Sequence, residues 1–118
     1  MNSLEFIISS ELNLTVVQLK GKILSELDLE TLNNELQELN APEGMNWIMD
    51  LGELTHTNSN GIGFLVRSLT RSRINNGELV LCGVKGTVEK LFEIAKINEI
   101  FTIYINVSEA KQHFNKLQ

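Results

Sequence analysis

Two short runs of apolar and β-branched residues open the chain. Residues 4–10 (LEFIISS) and residues 15–20 (TVVQLK) each have the composition of a β-strand. Val17 and Leu19 lie two positions apart in the second run, so they share one face of that strand. Because only the short polar connection 11–13 separates the two runs, we predict that they pair as a hairpin.

Four later segments carry apolar residues every three or four positions, a spacing typical of amphipathic helices. The predicted helices begin near Ser25, Gly61, Thr87 and Ser108, and Ser25 with Asp28 resembles a capping box. We expect breaks at residues 40–44, at residues 75–77 and at Asn98. The four apolar stripes are Leu29, Leu32, Leu36 and Leu39; Ile62, Leu65, Val66 and Leu69; Val88, Leu91, Phe92 and Ala95; and Ala110, Phe114 and Leu117.

Between the helices lie three apolar runs at residues 47–51, 79–82 and 101–105, which are typical of strands buried on both faces. The element order β-β-α-β-α-β-α-β-α predicts an α/β fold. Its sheet has four to five mostly parallel strands with an antiparallel first strand, and about four helices pack on it. The predicted core is Leu32, Leu36, Ile48, Leu65, Leu69, Leu79, Leu81, Leu91 and Phe92.

The composition indicates one globular domain over residues 1–118. We find no run of about 20 apolar residues and no signal peptide, and one cysteine cannot form an internal disulfide, so we expect a cytoplasmic protein. A net charge of −5 argues against nucleic acid or anionic lipid as a partner, in spite of Arg67 and Arg71 on one helix face. His56, His113 and Cys82 match no metal-site spacing, so we expect no metal and no cofactor.

The candidate chemistry lies in the polar segment that follows residues 47–51. Ligands of open α/β sheets collect beyond the carboxyl ends of the strands, and a helix N-terminus there favours an anion. We predict a polar loop over residues 52–58 that leads to Ser59, with Gly61 and Gly63 opening the backbone to a partner or a phosphate. Ser59 is also suited to be an ordinary N-cap, and the two roles are compatible because a cap hydroxyl faces solvent.

Residues 49–66, M-D-L-G-E-L-T-H-T-N-S-N-G-I-G-F-L-V, resemble the central signature of STAS domains, the anti-sigma factor antagonists. In that family a strand and a short loop precede Asp-Ser-Ser-Gly-(apolar)-Gly at the start of a helix. The segments G-K-I-L, G-E-L-V-L-C-G-V and V-E-K-L-F-E-I-A-K-I also resemble elements of the family. The resemblance covers nearly the whole chain and implies the same element order.

This resemblance implies that Ser59 is a phosphoacceptor, with Thr57 as the second choice. Asn58 stands where the family usually has Asp, and Asn60 where a second Ser or Thr is common, so hydrogen bonding is kept while charge is lost. The implied partner surface is Thr57, Asn58, Ser59, Asn60, Gly61 and Gly63.

The implied partners are an anti-sigma factor with a kinase-type ATP-binding fold and a serine phosphatase. We expect a monomer or weak dimer with no enzymatic activity of its own. Phosphate at Ser59 would then oppose binding.

Two other functions are compatible with the sequence. One is a STAS scaffold or partner-binding module without a phospho-switch and outside sigma factor control, which the residues Asn58 and Asn60 favour. The other is a small α/β enzyme, for which a pair of His56 and Ser59 is conceivable, although no acid is evident that would orient the histidine.

Overall fold

Five strands form a single mixed sheet in the order β1-β2-β3-β4-β5. The computed structural model describes residues 3–115. The strands are β1 (Leu4–Glu11), β2 (Leu14–Lys22), β3 (Asn46–His56), β4 (Leu79–Cys82) and β5 (Ile103–Tyr104). The predicted hairpin is confirmed, since β1 pairs antiparallel with β2, and all other pairings are parallel.

Four α-helices alternate with the parallel strands, in the order that the sequence predicts. They are α1 (Glu26–Glu38), α2 (Ser59–Ile74), α3 (Gly86–Ile94) and α4 (Val107–Asn115), and a 3-10 turn covers Ile97–Glu99. No helix within residues 3–115 combines the length and the apolar character needed to cross a bilayer.

The starts of the helices partly match the predicted caps. The Ser25–Asp28 capping box is present with both of its arms. The predicted cap at Ser108 is wrong, because Asn106 Oδ1 accepts the Glu109 backbone N–H at 2.9 Å and α4 begins one residue earlier than Ser108. The start of α3 lies at Gly86 rather than Thr87.

Two strands differ in length from the prediction. β3 does not end at Leu51, because its pairing with β2 continues as far as Lys22 opposite His56 and buries Leu54. β5 has only two residues, since it pairs with β4 only at Ile103 and Tyr104. The polar loop predicted over residues 52–58 is therefore a strand as far as His56 and a two-residue connection after it.

Helices pack on both faces of the sheet. α1, α2 and α3 cover one face around Leu19, Met49 and Leu81, while α4 covers the other with Ala110 and Phe114. Seven residues of the predicted core are buried: Leu32, Ile48, Leu65, Leu69, Leu79, Leu81 and Phe92. Leu36 and Leu91 are less deeply buried, with Leu36 packed against the same core, and Leu39 of the first predicted stripe is exposed. Leu117 lies outside the described residues.

Candidate functional site

The candidate site lies at the carboxyl end of β3, where three loops are tied together by hydrogen bonds. The Ile23 backbone N–H donates to the carbonyl oxygen of His56 at 3.0 Å, which joins the ends of β2 and β3. On the other side, the Thr87 hydroxyl at the start of α3 donates to the Thr55 carbonyl at 2.7 Å. The two-residue connection from β3 to α2 is thus held between two neighbouring elements.

Asn58 is the N-cap of α2 and also anchors the loop between β2 and α1. Its Oδ1 accepts the Asn60 backbone N–H at 2.9 Å, and its Nδ2 donates to the Leu24 carbonyl at 2.9 Å. The Leu24 N–H in turn donates to the Asp28 carboxylate at 2.8 Å. One amide side chain therefore connects the start of α2 with the start of α1.

Ser59 is the first residue of α2, and it is exposed. The N-cap role considered for Ser59 is wrong, because Asn58 fills it. The first turn of α2 contains no acidic residue, so the positive end of the helix dipole meets no negative charge within that turn. The hydroxyl is accessible to a modifying enzyme at a position where an added phosphate would be tolerated by the fold.

Thr57 and Gly61 occupy a buried space below the first turn of α2. Thr57 Oγ1 is buried without a hydrogen-bond partner among the described residues, which favours Ser59 over Thr57 as an accessible hydroxyl. A Cβ built on Gly61 would lie only 2.0 Å from Thr57 Oγ1. Gly61, which is itself buried, therefore accommodates Thr57 and does not open the backbone to a partner as the sequence suggested.

Gly63 lies two residues further along α2, about half a turn from Gly61, and has the side chain of Arg67 against it. A Cβ at Gly63 would be 3.0 Å from Arg67 Nη1, and Arg67 Nη2 lies 3.9 Å from the Glu26 carboxylate. The Arg67 side chain therefore crosses Gly63, where no side chain is in its way, and extends towards the start of α1. This arginine is on the same side of the molecule as the candidate site.

Two exposed leucines border the site, and the sequence analysis did not identify them. Leu24 is 48% exposed and Leu27 is 76% exposed, at the loop that Asn58 holds and in the first turn of α1. Leu27 lies outside the periodic apolar stripe of the first helix, and this departure is the one sequence signal that could have identified it. The exposed side chains of these two leucines add apolar surface beside the polar groups of the site.

Among residues 3–115, no hydrogen bond joins His56 to Ser59, the pair considered for an enzyme. His56 is exposed at the end of β3, with Nδ1 at 3.0 Å from the Thr55 hydroxyl. Across residues 3–115, no three His, Cys, Asp or Glu side chains are grouped so as to hold a metal ion. Cys82 is buried, as predicted, and burial together with the nearby Asp50 raises its pKa to about 12. The thiol is protonated at neutral pH and is not a nucleophile there.

The profile of the STAS domain family matches residues 8–110. This chain belongs to the STAS domain family. Over 84 residues, 69% of this STAS domain and 74% of the relative, it is 30% identical to the anti-sigma-B factor antagonist of Listeria monocytogenes and to that of Listeria innocua.

Solved structures share the fold of this STAS domain at low sequence identity. An anti-sigma factor antagonist from Mycobacterium paratuberculosis aligns with a TM-score of 0.79 at 14% identity, over 95% of this chain and 94% of that one. Unphosphorylated SpoIIAA aligns with a TM-score of 0.78 at 16% identity, over 95% and 97%. The phosphorylated form of SpoIIAA, a Bacillus cell fate determinant, aligns with a TM-score of 0.70 at 16% identity, over 93% and 99%.

Proposed function

We propose that this STAS domain is an anti-sigma factor antagonist that binds a kinase-type anti-sigma factor and is inactivated by phosphorylation of Ser59. The observation that carries the proposal is the exposed Ser59 at the start of α2, beside the Asn58 that holds the loop of the exposed Leu24. The exposed Leu27 follows three residues after Leu24. Support comes from the two Listeria relatives, which are anti-sigma-B factor antagonists, and from SpoIIAA, whose structure exists in both phosphorylation states.

The proposed binding surface combines a neutral polar centre with an apolar border. The centre is the exposed Ser59 with the half-buried Asn58 and Asn60, and the border is Leu24 and Leu27. Leucines buried in an interface contribute affinity, while uncharged polar groups in its centre can pair without the desolvation cost of an ion. A partner that fits this surface presents an apolar groove beside hydrogen-bonding groups.

Phosphorylation would change binding without unfolding the domain. A phosphate brings a charge of about −1.5 to −2, which the helix N-terminus stabilises by roughly 0.3–1 kcal/mol. The same charge set against a partner surface that matches a neutral hydroxyl costs about 2 kcal/mol or more, close to thirtyfold in affinity. The phosphate should thus slightly stabilise the domain while it weakens binding to the partner.

The test incubates the full chain with ATP and a candidate cognate anti-sigma factor of the kinase type. Mass spectrometry then locates the phosphate, and calorimetric titration measures binding. We expect phosphate at Ser59, constitutive binding by Ser59→Ala, and binding about thirtyfold weaker for Ser59→Asp. Ser108→Ala is the matched control, because Ser108 is an exposed serine in the first turn of α4. Phosphate at another residue, or Ser59→Asp binding as tightly as the wild type, would refute the switch.

The apolar border is tested in the same titration. Leu27→Ser should weaken binding by roughly tenfold or more, because an interface leucine loses most of its buried apolar area. Leu12→Ser is the control, since Leu12 is 99% exposed in the turn between β1 and β2, at the opposite end of the sheet. Equal affinities for the two variants would place the interface elsewhere.

The second candidate is a partner-binding STAS module without a phospho-switch. The neutral residues Asn58 and Asn60 favour it, because no acid lies in the first turn of α2 to assist recognition of the serine. For this function the anti-sigma factor would leave Ser59 unmodified, and capture experiments would recover a partner that is not an anti-sigma factor. A panel of hydrolase and kinase assays tests the remaining enzyme hypothesis.

A further inference from the structure

A cleft of about 380 Å³ lies between the C-terminal halves of α1 and α2, above the first residues of β3 and β4. Its lining includes Leu36, Trp47, Met49, Ser68, Arg71 and Leu79. Ser59 and Asn75 lie at opposite ends of α2. With a rise of 1.5 Å per residue, the two residues are about 24 Å apart. The cleft is therefore distinct from the surface proposed for the anti-sigma factor.

The floor of the cleft is apolar and includes a large aromatic ring. Met49 and Leu79 are buried, and Trp47 and Leu36 are half-buried against the same core. This volume lies at the lower end of the range for small-molecule sites, which are commonly lined by apolar and aromatic side chains. A flat apolar group of modest size is the chemistry that such a floor accepts.

The rim of the cleft is polar and carries one charge. Arg71 is its only charged lining residue, and no carboxylate lies within ion-pairing distance of it among the described residues. Arg67 and Arg73 on the same helix are paired with Glu26 and Glu78. The cleft therefore has a local positive charge within a protein of net charge −5.

The remaining rim groups are amides with unused hydrogen-bonding capacity. No side-chain hydrogen bond found within residues 3–115 involves Gln37, Asn40 or Asn75. Together with the planar guanidinium of Arg71, which matches a carboxylate geometrically, they provide donors around one mouth of the cleft. We infer that this cleft binds a small carboxylic acid with a flat apolar body, Arg71 pairing with the carboxylate and Trp47 contacting the apolar group.

The test relies on Trp47, which is the only tryptophan of the chain and reports directly from the cleft floor. The probes are 3-phenylpropanoate, its neutral amide 3-phenylpropanamide, and inorganic phosphate, each titrated against the full chain. We expect a saturable change in Trp47 fluorescence with the carboxylate, binding at least tenfold weaker with the amide, and no saturable change with phosphate.

Three variants distinguish the cleft from general surface binding. Arg71→Gln should weaken carboxylate binding at least tenfold without changing the affinity for the amide, whereas Arg73→Gln should leave both unchanged. Ser68→Leu, which fills the cleft from α2, should abolish the response, with the melting temperature confirming that it is folded. The inference is overturned if 3-phenylpropanoate gives no saturable change, if amide and acid bind equally, if phosphate binds as well as the acid, or if Arg71→Gln and Arg73→Gln behave alike.

Discussion

Thr57 and Gly61 are packed so closely that each determines what the other position tolerates. Thr57 Oγ1 fills the space in which a Cβ at Gly61 would lie, and the hydroxyl has no hydrogen-bond partner among the described residues. At Gly63 the neighbouring atoms belong instead to the flexible end of Arg67. A side chain at Gly61 would thus meet a buried hydroxyl, whereas one at Gly63 would meet a flexible arginine.

Alanine substitution should separate these two glycines. In a helix interior, alanine normally stabilises by about 0.5–1 kcal/mol relative to glycine, and Gly63→Ala should follow that rule as Arg67 moves aside. Gly61→Ala should instead destabilise by about 1–3 kcal/mol, because its Cβ overlaps Thr57 in a buried space. Urea unfolding of both variants measures the difference.

A double-mutant cycle identifies the cause of the Gly61 effect. Thr57→Ala removes the overlapping atom, so Gly61→Ala should cost less in a Thr57→Ala background than in the wild type. Additive free energies of unfolding would show that Thr57 is not the obstacle.

Cys82 couples the stability of the fold to alkaline pH. Burial, the charge of Asp50 and a hydrogen bond to its carboxylate raise the pKa of Cys82 from 9.0 to about 12. The unfolded chain loses this proton above pH 9.0, but the folded state holds it until about pH 12. The contribution is therefore fully present below pH 9.0 and is lost as pH rises through this window, by at most about 1.4 kcal/mol per pH unit.

The measurement compares the wild type with Cys82→Ala by urea unfolding at about pH 7 and about pH 10.5. The free-energy advantage of the wild type should shrink at the higher pH, since the alanine variant has no thiol to titrate. The difference between the two proteins cancels the titration of other groups, and the change of that difference with pH cancels the cavity left by alanine. Parallel pH profiles would contradict the assignment.

The start of α2 illustrates how a helix cap can also connect two elements. Asn58 accepts from Asn60 and donates to the Leu24 carbonyl, whereas Asn106 at the start of α4 is found only as an acceptor, from Glu109. A carboxylate can replace the acceptor but not the donor. An aspartate at position 58 would also place a second oxygen beside the Leu24 carbonyl.

Replacement of each cap by aspartate tests this difference. Asn58→Asp should lower the free energy of unfolding by about 1 kcal/mol because the bond to Leu24 is lost, and Asn106→Asp should remain within about 0.5 kcal/mol of the wild type. Thermal and urea unfolding provide the measurement. Equal effects at the two positions would mean that the Leu24 contact adds nothing to the cap.

Pairing partners, rather than local composition, decided the strand lengths. Residues 52–56 are mostly polar and read as a loop, yet β3 extends to His56 because β2 lies alongside it that far. Conversely, residues 101–105 are apolar enough for a longer strand, but only Ile103 and Tyr104 pair with β4. Polarity along the chain indicates burial, while the end of a strand depends on whether a neighbour is present to accept its hydrogen bonds.

The larger of the two core clusters lies between the sheet and helices α1, α2 and α3. Leu65→Ala removes a side chain that is 2% exposed and should cost about 2–5 kcal/mol, a large part of the roughly 5–15 kcal/mol expected for a domain. Leu91→Ala on α3 should cost clearly less, because Leu91 is half-buried and leaves a smaller cavity. Chemical denaturation of both variants measures this, and equal losses would place Leu91 in the interior.

Hydrophobic periodicity and local cap residues were sufficient for the element order, the Ser25 capping box and most of the buried stripe, because each follows from residues a few positions apart. The mixed sheet followed from that element order through the general rules for strand connections. The position of Ser59 at the start of a helix was likewise local. The tertiary structure decided which side chain caps α2, what fills the space at Gly61 and that Leu24 and Leu27 are exposed near the site. It also decided that Arg71 lines the same cleft as Trp47 without a carboxylate partner among residues 3–115. Asn58 and Leu24, like Arg71 and Trp47, are far apart in the sequence, and spacing along a chain carries no information on such distances until the sheet has brought the segments together. The α2 cap and the Thr57–Gly61 contact span four residues or fewer, but a run of polar residues does not itself show which of them adopts the extended N-cap conformation of Asn58.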